Sequence, residues 1–137
     1  MPRPLLSHVD VRVSDRQRSI AFYDEVLGAL GFLRRASDGD AWTSYVDAAY
    51  GPGSNLARGA ADFEWFGFTI DAAPQPNANR IAFVAMTNDE VDRVADTLRR
   101  INANAVEGPD FSEGPGYYAV FFEDPDGHRL EVCCRTE

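Results

Sequence analysis

Two stretches of this chain, LSHVDVRV at residues 6–13 and NRIAFVAM at residues 79–86, share one pattern. The first stretch alternates apolar residues with others, the second has the large apolar residues Ile81 and Phe83 two positions apart, and a helical pattern follows each at once. A strand and helix opening that occurs twice indicates two copies of one structural module, related by a pseudo-twofold axis. His8 of the first stretch and Arg80 of the second therefore hold equivalent positions.

The composition is typical of a single-domain globular protein. The chain has 137 residues, of which 45% are hydrophobic and 26% charged, which is enough for one buried core. No apolar run approaches the ~20 residues of a membrane span, and the first residues lack a secretion signal, so we expect a cytoplasmic protein that does not bind membranes. A formal charge of −9 repels phosphate backbones and argues against nucleic acid as a partner.

The first module, about residues 5–70, is predicted to contain one helix among four strands. Apolar residues recur at helical spacing through residues 15–30, with Asp15 as a candidate N-cap and Gly31 at the end. Strands are predicted at residues 6–13, 32–36, 41–47 and 63–70, with a turn at residues 37–40 and a loop at residues 50–62.

The second module, about residues 79–135, repeats this order after a proline-containing linker at residues 71–78. Asn88 is the candidate cap of its helix, and Arg99 and Arg100 in the last turn suit the negative end of the helix dipole. Strands are predicted at residues 79–86, 105–107, 117–123 and 129–134, with a loop at residues 108–116 and a turn at residues 124–127.

The predicted order is therefore βαβββ, linker, βαβββ. Eight strands with two helices cannot form a doubly wound sheet, because that fold needs a crossover helix between most neighbouring strands. The sequence predicts instead a single α+β domain over residues 1–137. Its two βαβββ modules form a cup-shaped, curved mixed sheet with the helices outside, and the inward faces of the strands line a cleft.

Six motifs give the chain a recognisable family pattern. They are HVDVRVSD from His8, SIAFYDEVLG from Ser19, LGF from Leu30, RIAF from Arg80, GYYAVFF from Gly116 and DPDGHRLE from Asp124. In this order, and over nearly the whole chain, they resemble the glyoxalase, bleomycin-resistance and extradiol-dioxygenase superfamily. The resemblance implies a small-molecule cleft between the paired modules and a homodimer, in which a second subunit often completes the cleft.

The resemblance also implies a metal site. Metal-dependent members bind a divalent ion with residues from the first and last strands of each module, and the ion polarises vicinal oxygens of the substrate. Carried over by position, His8 and Glu131 are ligands or catalytic acid–base groups, and Glu64 is the ligand from the last strand of module one. The fourth position, a histidine in similar metal-dependent chains, is Arg80 here. A guanidinium stays protonated and has no lone pair to donate, so it cannot replace imidazole.

The sequence leaves two arrangements of these residues open. In one, His8, Glu64 and Glu131 hold a divalent metal ion as one imidazole and two carboxylates, while Arg80 turns away. In the other, Arg80 forms an ion pair with Glu131 or Glu64 through two parallel hydrogen bonds, and the cleft lacks the metal. We favour the second, and we therefore expect no cofactor, with a divalent metal ion as the alternative.

The strands of the predicted cleft are rich in aromatic residues. Alternation directs about half of them toward the cleft, where they suit a flat or apolar small molecule. The candidate ligand-binding residues are Arg80, Trp42, Tyr45, Trp65, Tyr117 and Tyr118.

Two classes of function fit these features. The first is a protein that binds a small molecule in an aromatic-lined pocket without the standard metal site, similar to the bleomycin-binding members. The second is a divalent-metal-dependent lyase, isomerase or dioxygenase that uses His8, Glu64 and Glu131. Arg80 counts against the second class, because it removes a metal ligand that these enzymes share.

Overall fold

The computed structural model describes residues 5–35, 42–48 and 64–136. Within these residues the elements are β1 (His8–Val13), α1 (Arg16–Gly28), β2 (Phe32–Arg34), β3 (Thr43–Asp47), β4 (Trp65–Ile70), β5 (Arg80–Val84), α2 (Asn88–Arg100), β6 (Asn104–Asp110), β7 (Tyr117–Glu123) and β8 (Arg129–Arg135). Neither helix of this described part is long and apolar enough to cross a bilayer.

Each module forms its own four-stranded mixed sheet, in the orders β1-β4-β3-β2 and β5-β8-β7-β6. The first strand of each module pairs in parallel with the last strand, and the other neighbours pair antiparallel. The same pairing in both sheets agrees with the duplication indicated by the two opening stretches. The predicted α+β fold of two βαβββ modules is confirmed.

Both helices begin at a side-chain cap. The Asp15 carboxylate accepts the Arg18 backbone N–H at 3.1 Å and caps α1 as predicted. The predicted cap Asn88 is wrong, because the Thr87 hydroxyl accepts the Glu90 N–H at 3.2 Å and Asn88 is already helical. A cap must have extended backbone angles, and Thr87 has them.

One hydrophobic core joins the helix sides of the two sheets. The Phe66 ring of module one lies 5.1 Å from the Phe83 ring of module two, and Phe22 of α1 lies 6.2 Å from Phe122 of β7. The apolar residues of α2 belong to the same buried cluster. The opposite face of each sheet carries no helix among the described residues, and we call these two surfaces the open faces.

Polar contacts also connect the modules. The Tyr23 hydroxyl donates to the Asp124 carboxylate at 2.7 Å, and both side chains are fully buried. Asp126 accepts hydrogen bonds from the backbone N–H and hydroxyl of Ser14 at 3.1 and 2.6 Å. The predicted turn at residues 124–127 therefore holds module two against module one in addition to joining two strands.

The sixth strand departs most from the prediction. A strand was expected at residues 105–107 and a loop at residues 108–116, whereas β6 continues to Asp110. Its pairing with β7 shifts register on both sides of Glu107. The side chains of β6 therefore do not follow the regular alternation of polar and apolar residues that indicates a strand. The predicted turn at residues 37–40 and loop at residues 50–62 lie outside the described residues.

Candidate functional site

The open face of the first sheet carries three aromatic rings, from His8, Trp42 and Trp65, which we call the aromatic patch. His8 and Trp65 are directly paired between β1 and β4, so their side chains leave the sheet on the same face. The two rings are parallel, with centroids 4.2 Å apart, and Trp42 meets Trp65 edge-on at 6.0 Å. The Ser7 hydroxyl lies 3.1 Å from His8 Nδ1, which further orients the imidazole.

The open face of the second sheet carries Arg80, Tyr117 and Glu131. Glu131 pairs with Ala82 of β5. Arg80 precedes Ala82 by two residues and therefore shares its face of the sheet, so Glu131 and Arg80 lie on the same face. The Glu131 side chain is only 6% exposed and accepts a hydrogen bond from the Tyr117 hydroxyl. Burying a carboxylate is costly unless it is hydrogen-bonded, ion-paired or bound to a metal ion, and here the phenol supplies the hydrogen bond.

Protons on this face are held tightly by Tyr117 and Cys133. The hydrogen bond to Glu131, helped by desolvation, raises the pKa of Tyr117 well above that of a free tyrosine. Burial raises the pKa of the Cys133 thiol. Near neutral pH, therefore, Tyr117 is a hydrogen-bond donor and Cys133 a neutral thiol.

The ion pair expected for Arg80 is absent among the residues that the structure describes. Its guanidinium carbon lies 4.7 Å from the centroid of the Phe121 ring, in a cation–π contact. Glu131 is bound by a phenol instead of a guanidinium. Arg80 and Phe121 share a shallow cavity of about 130 Å³ with Glu107, Asp110, Ser112 and Glu113.

The strand registers identify which residue of module one corresponds to Glu131. In module two, Glu131 lies two residues beyond the strand partner of Arg80. In module one, the residue two positions beyond the strand partner of His8 is Gly67. Gly67 is therefore the structural counterpart of Glu131, whereas Glu64 is exposed and precedes β4.

A side chain does not fit at position 67. A Cβ atom on Gly67 would lie 2.4 Å from the Thr43 carbonyl oxygen and 2.9 Å from the Trp65 ring. The indole of Trp65 thus occupies the space that a side chain from this position would enter. Module one supplies no donor atom there.

Sequence reasoning missed Gly67, although the sequence contains a signal for it. Gly67 lies between the buried residues Phe66 and Phe68, just as Glu131 lies between two fully buried apolar residues. Matching these apolar flanks, instead of matching one glutamate to another, aligns position 67 with position 131. The alternation of buried residues along a strand carries this information.

The donor atoms present do not fit the four-ligand metal site that the resemblance implies. Of the four equivalent positions, His8 and Glu131 offer lone pairs, while Arg80 and Gly67 offer none. Among the described residues, no group of three or more His, Cys, Asp or Glu side chains is close enough to hold a metal ion. His8, Glu64 and Glu131 are therefore not brought together within one chain.

The predicted ligand-binding residues divide between the two sides of the sheets. Tyr45 and Tyr118 lie on the helix sides, where their hydroxyls donate to Asp24 and Asp92. The hydrogen bond to Asp92 raises the pKa of Tyr118 to about 12. The residues on the open faces are Trp42, Trp65, Arg80 and Tyr117.

Known proteins share this fold and sequence pattern. A family model named Glyoxalase/Bleomycin resistance protein/Dioxygenase superfamily matches residues 5–132. A lactoylglutathione lyase of Salmonella typhimurium is 29% identical over 127 residues, 93% of this chain and 90% of that protein. A glyoxalase/bleomycin resistance protein from Albidiferax ferrireducens T118 has a similar structure, with a TM-score of 0.71 at 25% identity, over 96% of this chain and 99% of that one. The chain therefore belongs to the Glyoxalase/Bleomycin resistance protein/Dioxygenase superfamily.

Proposed function

We propose that this chain is a cytoplasmic protein that binds a small organic molecule at the open faces of its two modules without a metal ion. The proposal depends on the residues at the four equivalent positions, which are His8, Gly67, Arg80 and Glu131. Catalytic zinc sites, for comparison, take three protein ligands, and only two of these four residues have a lone pair to donate.

The aromatic patch supports an organic ligand. Trp42 is 43% exposed, and the parallel rings of His8 and Trp65 present a rigid stacking surface. Such a surface favours a flat or apolar molecule, and the nearby polar groups orient it. On the second sheet, Arg80 offers a cation that no described carboxylate neutralises through an ion pair.

A second copy of the chain completes the site in this proposal. Large apolar side chains remain exposed on the open faces of a single chain, with Leu33 at 45% and Val84 at 68%. A homodimer would cover them and bring one copy's aromatic patch toward the other copy's Arg80 and Glu131. Light scattering on a size-exclusion column tests this part, because a stable monomer at micromolar concentration contradicts it.

His8 and Glu131 are the residues that would exchange a proton with the bound molecule. Glu131 already accepts a hydrogen bond, and the imidazole of His8 has one ring nitrogen that can donate a proton and one that can accept it when neutral. Their catalytic roles stay a prediction. The proposal for ligand binding does not depend on them.

Thermal denaturation with candidate ligands tests the proposed function. Aromatic compounds are expected to raise Tm, while nickel, zinc or manganese ions leave Tm unchanged, because only a ligand of the native state stabilises it. Stabilisation by one equivalent of a divalent ion, reversed by a chelator, would instead support the metal-dependent enzyme that uses His8, Glu64 and Glu131.

A further inference from the structure

A separate cavity of about 150 Å³ lies at the boundary between the two modules. Most of its wall comes from the helix sides of the sheets and from α1, with Val9, Leu27, Phe32, Phe66, Ile81 and Phe83 as the apolar lining. Val9 and Phe66 are paired strand residues whose side chains face the shared core. The apolar lining of the cavity thus lies on the helix side, while His8, Trp65 and Ala82 border it from the open faces.

This cavity is partly open to solvent, and its volume and lining suit a single aromatic ring. An engineered cavity of about 150 Å³ lined by Leu, Ile and Phe binds benzene in another protein. Phe32, Phe66 and Phe83 line the cavity with aromatic rings. A bound aromatic ring could contact them in the offset or edge-on arrangements that aromatic pairs prefer. Tyr45 also borders the cavity, but its hydroxyl is already donated to Asp24 at 2.7 Å.

Glu64 gives the cavity a charge preference. It borders the cavity and is exposed, and no ion pair joins it to a cation in the part of the chain that the structure describes. No lysine or arginine is among the described lining residues. A guest with a positive charge near Glu64 is attracted, whereas a carboxylate is repelled.

We propose that this cavity binds a monocyclic aromatic ammonium compound. The ring lies among Phe32, Phe66 and Phe83, and the ammonium group lies beside the Glu64 carboxylate. This site lies beside the aromatic patch and shares His8 and Trp65 with it, but the bound ring lies on the helix side of the sheets and not on the open face.

Titrations of the full chain with benzylammonium, benzyl alcohol and phenylacetate test the proposal. Backbone amide NMR signals locate the bound ring. We expect saturable binding of benzylammonium, with shifts concentrated at Val9, Ile81 and Phe83, and an affinity for phenylacetate lower by about fivefold or more. Absence of saturable benzylammonium binding would overturn the proposal, as would shifts concentrated at Asp10 and Trp42 on the open face of the first sheet or at Ala119 and Cys133 on that of the second.

Variants at position 64 separate charge recognition from nonspecific partitioning. Glu64→Gln is expected to weaken benzylammonium binding about two- to fivefold, as loss of an exposed ion pair does, and Glu64→Lys should reverse the preference toward phenylacetate. Asp96→Asn is the matched control, because it removes one negative charge from a side chain of α2 that is 81% exposed and does not border the cavity. Equal affinity of wild type and Glu64→Gln for benzylammonium rejects the proposed site.

Discussion

The imidazole of His8 lies flat against the indole of Trp65, with ring centroids 4.2 Å apart. The same indole fills the space above Gly67, the counterpart of Glu131. The Trp65 side chain thus stacks on His8 and also covers position 67, where the counterpart of the Glu131 carboxylate would lie. At this position the open face of the first sheet therefore presents stacked aromatic rings and no carboxylate.

Replacing Trp65 with Ala tests this stacking. The ring current of the indole shifts the imidazole C–H signals of His8 in the wild type, and these signals should move to the positions of an unstacked histidine in Trp65→Ala. The chain has only two histidines, so NMR can follow both. His128, whose Nε2 lies 2.6 Å from the Arg12 carbonyl oxygen, serves as the internal control. Unchanged His8 signals would show that the rings are not stacked in solution.

Replacing Gly67 with Ala should destabilise the protein. The added methyl group would meet the Thr43 carbonyl oxygen and the Trp65 ring, and overpacking of this kind costs about 1–3 kcal/mol in the free energy of unfolding. Gly28→Ala in α1 is the matched control, since outside the local backbone of the helix no atom lies within 4 Å of the position that its Cβ would take. Urea denaturation of both variants measures the difference. Equal stabilities would contradict the close packing at position 67.

Replacing Tyr23 with Phe should weaken the contact between modules. The change leaves the buried Asp124 carboxylate without its phenol donor, and such a loss costs about 1–3 kcal/mol. Tyr118→Phe removes a solvent-exposed hydrogen bond to Asp92 and should cost less. Chemical denaturation gives both values, and a smaller loss for Tyr23→Phe than for Tyr118→Phe would be inconsistent with the described packing.

Alkaline titration should find most tyrosines protected. Burial raises the pKa of Tyr23 and Tyr45, and hydrogen bonds to carboxylates raise the pKa of Tyr117 and Tyr118. At about pH 11, above the ordinary tyrosine pKa of ~10, the native protein should therefore absorb less at the tyrosinate wavelength than the unfolded chain does.

The same pKa shifts fix the sign of the stability change. A raised pKa means that the native state holds the proton more tightly, so this contribution is fully present below about pH 10 and is lost as the pH rises through the native pKa values. The free energy of unfolding should consequently fall above about pH 10. Native and unfolded titration curves that coincide would contradict the hydrogen bonds described for Tyr23 and Tyr117.

Local signals explain why much of the fold was predictable. The Asp15 cap of α1 could be predicted because a polar residue directly precedes an apolar helical pattern. This signal lies within a few residues of sequence. Thr87 and Asn88 are adjacent and both suit a cap, so the sequence led to Asn88, whereas the structure has Thr87 as the cap. The length of β6 was missed because its irregular pairing removes the alternation that indicates a strand.

The candidate site was only partly predictable, because it depends on strand register. His8 and Arg80 begin repeated motifs and could be matched directly. The counterpart of Glu131 depends on how β4 aligns with β1, and a shift of one residue reverses the face of every side chain. For the same reason the sequence did not show that Tyr45 faces the helix side of the sheet.

The metal content of the purified protein tests the central claim most directly. Wild type, Arg80→His and the charge-preserving control Arg80→Lys are purified without chelator, exposed to nickel, zinc or manganese ions, desalted and measured by mass spectrometry. We predict no stoichiometric metal in wild type or Arg80→Lys, and a measurable gain in Arg80→His, which adds a donor on the face of Glu131 that the proposed homodimer would bring toward His8 of the other copy. A full equivalent of tightly bound transition metal in the wild type would contradict the account.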